Sequence, residues 1–218
     1  AEESNQPPVN PQTLSFTETD DYAQVTIEVD WCEPPANVPS LTRIEWNTFA
    51  YRDIIYRRKV VVYEHMVVDI TRVSNPHRRQ LDNILHIDGE RLMTTGSYLP
   101  LRDYDETDPM FYFSECFVSR LGRTVTVPFR TLMGKKIQLH GACSDPKAEL
   151  HQLRGPANPP LTSLSYLKTR SRAAAFISVH VIDLHPEEDL MRNVFISMRQ
   201  NTVNIASDLQ REIITHQI

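Results

Sequence analysis

The sequence predicts a mainly β protein: an antiparallel sandwich or barrel with an extended N-terminal arm and a C-terminal helical segment. Apolar and polar residues alternate strictly in several segments, and Val, Ile, Thr and Tyr are enriched in others. Strand patterns do not alternate with helical ones, as a parallel doubly wound sheet would require. The length of 218 residues favours one β-rich domain, residues 14–218, after an arm at residues 1–13.

The arm and the first strand are separated by a change of pattern. Residues 1–13, AEESNQPPVNPQT, contain three prolines and almost nothing apolar, which predicts an extended or disordered arm. From Gln24 to Trp31 every second residue is apolar, which is typical of a half-buried antiparallel strand. The three prolines of residues 32–40 then predict a loop.

Residues 43–79 contain the next β signals. The segment 43–57 fits a short helix or a strand, and its pattern leaves both open. Residues 59–73, KVVVYEHMVVDITRV, predict one long strand with a bend or bulge near Glu64 and His65. The stretch SNPHRRQ predicts a turn, because the residue before a proline is disfavoured in the helical region.

The middle of the chain predicts a meander of three strands. Short apolar pieces broken by Gly and Pro occupy residues 84–101, and the meander follows from residue 110 to 145. Its turns are predicted at Leu121–Gly122 and at Met133–Gly134. The middle strand reads RTVTVPF, and Pro128 has no N–H to donate, so this strand ends there or lies at a sheet edge.

The C-terminal part predicts a strand followed by a helix. Residues 173–184, AAAFISVHVIDL, alternate as a strand does. The stretch HPEEDL predicts a helix start, because Pro is tolerated in the first turn and carboxylates favour the positive end of the helix dipole. Apolar residues at spacings of three and four then indicate an amphipathic helix, which the polar stretch SMRQNTVNIAS could divide in two: Leu190, Val194, Met198, Ile205, Leu209 and Ile213.

Charge is distributed unevenly along the chain. The net charge is -5, yet the first 42 residues contain eight carboxylates and no Lys or Arg, so the remainder is mildly basic. Arg supplies 18 of the 23 cations, and Arg suits bidentate pairing with carboxylates or phosphates. The three cysteines, Cys32, Cys116 and Cys143, form no C-x-x-C pair, which favours a reducing compartment over secretion. No apolar stretch approaches the roughly 20 residues of a membrane span.

The acidic stretch DYDETD at residues 103–108 is the sharpest chemical candidate. Asp103, Asp105 and Thr107 match the D-x-D-x-T pattern of the haloacid-dehalogenase phosphotransferases, in which two aspartates work with Mg²⁺. The stretch does not follow a buried strand, and no parallel α/β scaffold surrounds it. It also lacks the Gly and Glu that a calcium loop needs. We therefore interpret it as a solvated acidic loop, and keep a Mg-dependent phosphotransferase using Asp103 and Asp105 as an alternative.

Other catalytic and metal patterns are not supported. His140, Cys143 and His151 match no standard zinc spacing. Sequences typical of a serine nucleophile, an activated cysteine or a phosphate-binding glycine loop are absent. The sequence thus predicts a protein that is not an enzyme and has no cofactor, no metal and no small-molecule substrate.

Basic clusters are the remaining candidates for a binding surface. If they shared a face they would contact RNA phosphates or neighbouring subunits, and otherwise they are solvated turns and salt bridges. They comprise Arg57, Arg58, Lys59, Arg78, Arg79, Lys135, Lys136, Lys168, Arg170 and Arg172.

Two segments give the chain a resemblance to a viral family. KVVVYEHMVVDITRVSNPHRRQL and GRTVTVPFRTL, with the Pro-rich arm, resemble the jelly-roll coat proteins of picorna-like viruses. The resemblance implies a jelly-roll-like β-sandwich and a non-enzymatic capsid subunit, which assembles in a virion or host cytoplasm with copies of itself or sister subunits around RNA. The scarce glycine, the acidic arm and the helical C-terminus depart from it. A viral matrix protein or another scaffold or adaptor protein contacting nucleic acid or protein is the alternative.

Overall fold

The computed structural model describes residues 11–31, 51–99, 112–122, 124–156, 163–184, 194–199, 201–207 and 214–217. Within them the chain is mainly β, and every strand pairing is antiparallel. The strands are Gln12–Glu18 (β1), Tyr22–Asp30 (β2), Ile55–Tyr63 (β3), Met66–Ser74 (β4), Leu81–Ile87 (β5), Gly89–Arg91 (β6), Ser97–Tyr98 (β7), Glu115–Arg120 (β8), Val125–Thr131 (β9), Lys136–Cys143 (β10), Glu149–Pro156 (β11), Ser163–Ser171 (β12), Ala175–Asp183 (β13), Val194–Arg199 (β14), Thr202–Ser207 (β15) and Ile214–Gln217 (β16).

The strands form three sheets. The eight-stranded sheet has the order β1-β2-β3-β4-β13-β10-β9-β6, and the five-stranded sheet has the order β5-β12-β11-β8-β7. The three-stranded sheet has the order β14-β15-β16. Four pairs, β4 with β13, β5 with β12, β8 with β11 and β9 with β10, are nested along the chain, so one long antiparallel ribbon supplies most of both larger sheets.

Each face of the eight-stranded sheet packs, over part of its width, against one of the two other sheets. One buried cluster joins Phe129 and Leu139 of the eight-stranded sheet to Leu150 and Leu167 of the five-stranded sheet. A second cluster joins strands β3, β4 and β13 to Val203 and other residues of the three-stranded sheet. Strand β13 contributes to both clusters, which explains why almost all of it is buried. The predicted strands at residues 24–31 and 173–184 correspond to β2 and β13 and are confirmed.

The predicted C-terminal helix is wrong for the residues that the structure describes, because β14, β15 and β16 occupy this region. Val194 and Met198 are four residues apart, and a spacing of four fits a period of two as well as a helical turn. Val203 and Ile205 face the second cluster as alternate residues of β15. The HPEEDL stretch, Leu190, Leu209 and Ile213 lie outside the described residues.

The predicted long strand at residues 59–73 is a hairpin. Strands β3 and β4 pair with Val62 opposite Val67, and the chain reverses at Glu64 and His65. The expected bend is therefore a complete turn. The reversal carries none of the Asn-Gly or Asp-Gly signals that mark tight hairpins, which is why the pattern predicts a continuous strand. Of the segment 43–57, only residues 51–57 are described, and Ile55 begins β3.

The predicted meander is divided between two sheets. Strand β8 belongs to the five-stranded sheet, whereas β9 and β10 form a hairpin in the eight-stranded sheet. The turn expected at Leu121–Gly122 is thus part of a crossover, while the turn at Met133–Gly134 is confirmed, with Gly134 at φ 79°. Pro128 lies within β9 and neither ends it nor lies at a sheet edge. The Pro128 carbonyl accepts a hydrogen bond from the Leu92 N–H, just past the end of β6. The N–H that Pro128 lacks would point to the same side, where β6 has already ended, so no described strand pairing loses a hydrogen bond.

Candidate functional site

Three connections between the two larger sheets meet at one end of the molecule, which we call the crossover end. They are residues 75–80 between β4 and β5, residues 144–148 between β10 and β11, and residues 172–174 between β12 and β13. The Asn75 N–H donates to the Ala174 carbonyl, and the Ser171 hydroxyl donates to Asp145 Oδ2 at 2.7 Å. These bonds hold the three connections together.

A cleft of about 810 Å³ opens at the crossover end, and we call it the basic cleft. Four cations and two carboxylates are among the residues that line it: Arg78, Gln80, Asp145, Lys147, Glu149, Arg170, Ser171, Arg172 and Ala173. Each of the three connections contributes one cation to this lining, namely Arg78, Lys147 and Arg172. The fold therefore concentrates positive charge that is dispersed along the sequence.

The carboxylates near the cleft are already engaged. Asp145 accepts hydrogen bonds from the Ser171 hydroxyl and the Lys147 N–H. Glu149 contacts His151 Nε2 at 3.0 Å. Asp82, beside the cleft, accepts two hydrogen bonds from Arg170, each 2.8 Å long. Burial raises the pKa of Asp82, but its hydrogen bonds to Arg170 and the charge of Lys168 outweigh burial and hold that pKa below its usual range.

Three cations of the basic cleft remain available. Arg78, Lys147 and Arg172 are exposed, and none of them forms an ion pair with another described residue. Arg172 donates both Nε and Nη2 to the neutral Oε1 of Gln80. The lining of the cleft thus carries a net positive charge, with four cations against two carboxylates.

The structure brings some of the predicted basic residues together and disperses the others. Arg78, Arg170 and Arg172 line the basic cleft, and Lys168 lies beside it, 3.3 Å from Asp82. Sequence reasoning missed Lys147, which has no cationic neighbour in the sequence. Its position after Asp145-Pro146, at the end of a predicted strand, is the signal that could have located it.

The remaining predicted cations do not reach the cleft. Arg57 pairs with Glu28, Arg58 pairs with Asp69, and Lys59 donates to the Gln217 carbonyl. Arg79 donates from Nη1 to the Arg52 carbonyl. Lys135 and Lys136 lie at the β9–β10 turn, at the opposite end of β10 from the crossover end. Asp103 and Asp105 lie outside the described residues.

His140, Cys143 and His151 lie on three different surfaces. Cys143 belongs to the cluster between the two larger sheets, and His140 pairs with Val181, which faces the three-stranded sheet. His151 lies on the outer face of the five-stranded sheet, because its neighbour Leu150 faces inward. Burial lowers the pKa of His140 to about 4 and raises the pKa of Cys143 to about 11. Among all described residues, no three His, Cys, Asp or Glu side chains are placed to hold one metal ion.

Sequence reasoning also missed a row of three side chains formed by Cys116, His151 and Glu149. Cys116 Sγ lies 3.9 Å from His151 Nδ1, and His151 Nε2 lies 3.0 Å from Glu149 Oε2. This order is that of a nucleophile, a base and an orienting carboxylate. Cys116 is fully buried, however, and burial raises the pKa of its thiol. Sγ is therefore protonated and closed to a substrate in this conformation.

A second exposed feature is β1, the outer strand of a wing formed by β1, β2 and β3. Residues of β2 and β3 belong to the buried clusters, whereas the side chains of β1 are exposed or half-buried. Phe16, opposite Val25, is 65% exposed, and Val62 is 46% exposed. Within the described part of the chain, β1 pairs only with β2. Its outer side is therefore a sheet edge.

No family model matches the chain, and no curated protein matches it. Among the described residues there is no helix with the length and apolar character to cross a bilayer. Cys116 and Cys143 are free thiols, and Cys32 lies outside the described residues. The outer edge of β1 and the basic cleft are the features of the described chain that point to a function.

Proposed function

We propose that the protein is a non-enzymatic structural subunit that assembles with copies of itself or with sister subunits into a larger particle, a viral capsid. The proposed architecture is a jelly-roll-like β-sandwich. The face-to-face packing of the two larger sheets and the nested strand pairs support this architecture, because a jelly roll is also an antiparallel ribbon wrapped into two sheets. The acidic N-terminal segment and the Arg-rich remainder are complementary charges for contacts between subunits.

The outer edge of β1, which pairs with no other described strand, is the observation that carries the proposal. The Thr19 N–H donates to the Tyr22 carbonyl across the β1–β2 turn, so the amides of Phe16 and Glu18 point to the opposite, open side. Such an edge is a template for another strand unless Lys, Pro or a bulge protects it. A register irregularity between Thr13 and Ser15 limits the regular edge to Ser15–Glu18.

A second copy of β1 is the proposed occupant of this edge. Antiparallel pairing of two β1 strands about a two-fold axis would continue the eight-stranded sheet from one subunit into the next. The strand QTLSFTE contains no Lys, Arg or Pro that would oppose this pairing. The exposed Phe16 side chains would then be buried between the subunits, which adds apolar contact to the main-chain bonds.

The test measures the mass and shape of the assembled full-length chain by light scattering and electron microscopy. Wild-type protein should form oligomers or particles. Glu18→Pro removes one outward amide without removing a β1–β2 bond, and should weaken self-association by about tenfold or more. Glu18→Ala keeps the amide and should assemble as the wild type does.

Two results would contradict the proposal. One is a wild-type protein that stays monomeric at high concentration. The other is a Glu18→Pro variant with the wild-type melting temperature and undiminished assembly. If Glu18→Pro disturbs the fold, Phe16→Lys provides the second variant, because it places a charge at the same edge on a side chain that is already exposed.

A further inference from the structure

We infer that the basic cleft binds a phosphate group. Three cations reach it from three separate stretches of chain: Arg78 from the connection after β4, Lys147 from the connection after β10, and Arg172 from the connection after β12. None of them forms an ion pair with another described residue, and Asp145 is already occupied by the Ser171 hydroxyl and the Lys147 N–H. This inference is independent of the β1 edge.

The number and origin of the cations favour phosphate over a carboxylate. The adjacent Arg170–Asp82 pair shows that one guanidinium satisfies both oxygens of a carboxylate. A phosphate has more acceptor oxygens, arranged tetrahedrally, and can accept from donors that approach from several directions. Arg78, Lys147 and Arg172 lie on different connections and provide such directions. The side chain of Gln80, which already orients Arg172, adds a polar group to the same wall.

The backbone around Arg78 indicates that the site is built rather than incidental. Arg78 has φ 51°, a left-handed conformation that is costly for a side chain of this size. The fully buried Asn75 holds this turn. Its carbonyl accepts the Arg78 N–H, its Oδ1 accepts the Arg79 N–H, and its Nδ2 donates to the carbonyls of Arg79 and Ala173. Asn75 thus fixes Arg78 next to the connection that carries Arg172.

The experiment titrates the full-length protein with two probes, inorganic phosphate by calorimetry and a short fluorescent oligouridylate by anisotropy. Lys147→Gln and Arg172→Gln should each weaken binding by about tenfold, the loss expected for one charge-assisted hydrogen bond. Lys135→Gln makes the same change of charge on an exposed lysine at the far end of β10, and should bind as the wild type does. The affinity for oligouridylate should also depend less steeply on salt concentration in the two cleft variants, with the slope reduced by about one.

The two probes separate the sources of the phosphate. Cleft-dependent binding of oligouridylate alone assigns the site to a nucleic-acid backbone, and cleft-dependent binding of inorganic phosphate assigns it to a free phosphate. Equal loss of affinity in Lys135→Gln overturns the inference, because the effect would then be one of net charge. Equally tight binding of an oligoglutamate overturns it in favour of a carboxylate partner. Lys147→Gln keeps the test valid if Arg172→Gln loosens the fold, because Lys147 is exposed and its ammonium forms no ion pair with a described residue.

Discussion

Phe129 and Phe16 lie on strands of the same eight-stranded sheet, yet Phe129 is fully buried and Phe16 is 65% exposed. Phe129 faces the five-stranded sheet, whereas Phe16 lies on β1, where all but one of the side chains are exposed. Phe129 lies on a strand with neighbours on both sides, whereas the strand of Phe16 pairs with β2 on one side only, and the two strands also differ in what packs against their faces. Strand pairing and side-chain burial are therefore separate properties in this fold, because β1 is paired with β2 although almost all of its side chains are exposed.

The largest difference in stability should come from removing the aromatic ring of Phe129 in one variant and that of Phe16 in another. Phe129→Ala should lower the free energy of unfolding by about 3–5 kcal/mol, because it leaves a cavity between the two larger sheets. Phe16→Ala, the matched control, should change it by less than about 0.5 kcal/mol in dilute monomer. Chemical denaturation of both variants measures the difference. Equal losses would mean that the wing is covered in solution.

Acid should destabilise the protein through two buried histidines, one in each region. Burial lowers the pKa of His140, in the central part of the sheet, and of His216, beside Tyr63 of the wing, to about 4. In the unfolded chain both would take up protons near pH 6.5, so the folded state binds fewer protons between these values. Stability should therefore be full above about pH 6.5 and should fall as the pH drops towards about 4, by up to ~3 kcal/mol for each residue.

Unfolding free energies measured across this pH range test the assignment. His140→Gln and His216→Gln should each flatten the acid slope. Leu139→Ala, a buried neighbour that does not titrate, should lower stability equally at every pH. An unchanged slope in both histidine variants would contradict the expectation. If His140→Gln flattened the acid slope and His216→Gln did not, the region around His216 would be open to solvent.

A smaller effect should separate two adjacent arginines of β3. Arg58 makes a bidentate contact with Asp69, whose side chain is only 6% exposed, whereas Arg57 pairs with the more exposed Glu28. Arg58→Met would leave the Asp69 carboxylate without this partner and should cost about 2 kcal/mol. Arg57→Met should cost less than about 1 kcal/mol, as exposed ion pairs usually do. Thermal unfolding of both variants measures the difference, and equal losses would contradict the role assigned to Asp69.

The outcome of sequence reasoning differed between strands and connections. Strands β2 and β13 were predictable, because alternation along one segment is a local property. The Glu64–His65 hairpin and the crossover after Leu121 were not, because neither place carries a distinctive turn signal and both reversals depend on the sheets that receive the next strand. The C-terminal prediction was wrong because Val194 and Met198 suit either period.

The basic cleft, too, was predictable from the sequence only in part. Arg78, Arg170 and Arg172 were identifiable as cations in clusters, but their convergence with Lys147 depends on three connections, at residues 75–80, 144–148 and 172–174, that are distant in sequence. Thus the sequence by itself determined the β character, the segregation of charge and several strand positions, since these follow from neighbouring residues. Only the tertiary structure decided which faces are buried, which edge stays open and which cations meet, because those properties arise when distant strands pair and whole sheets stack.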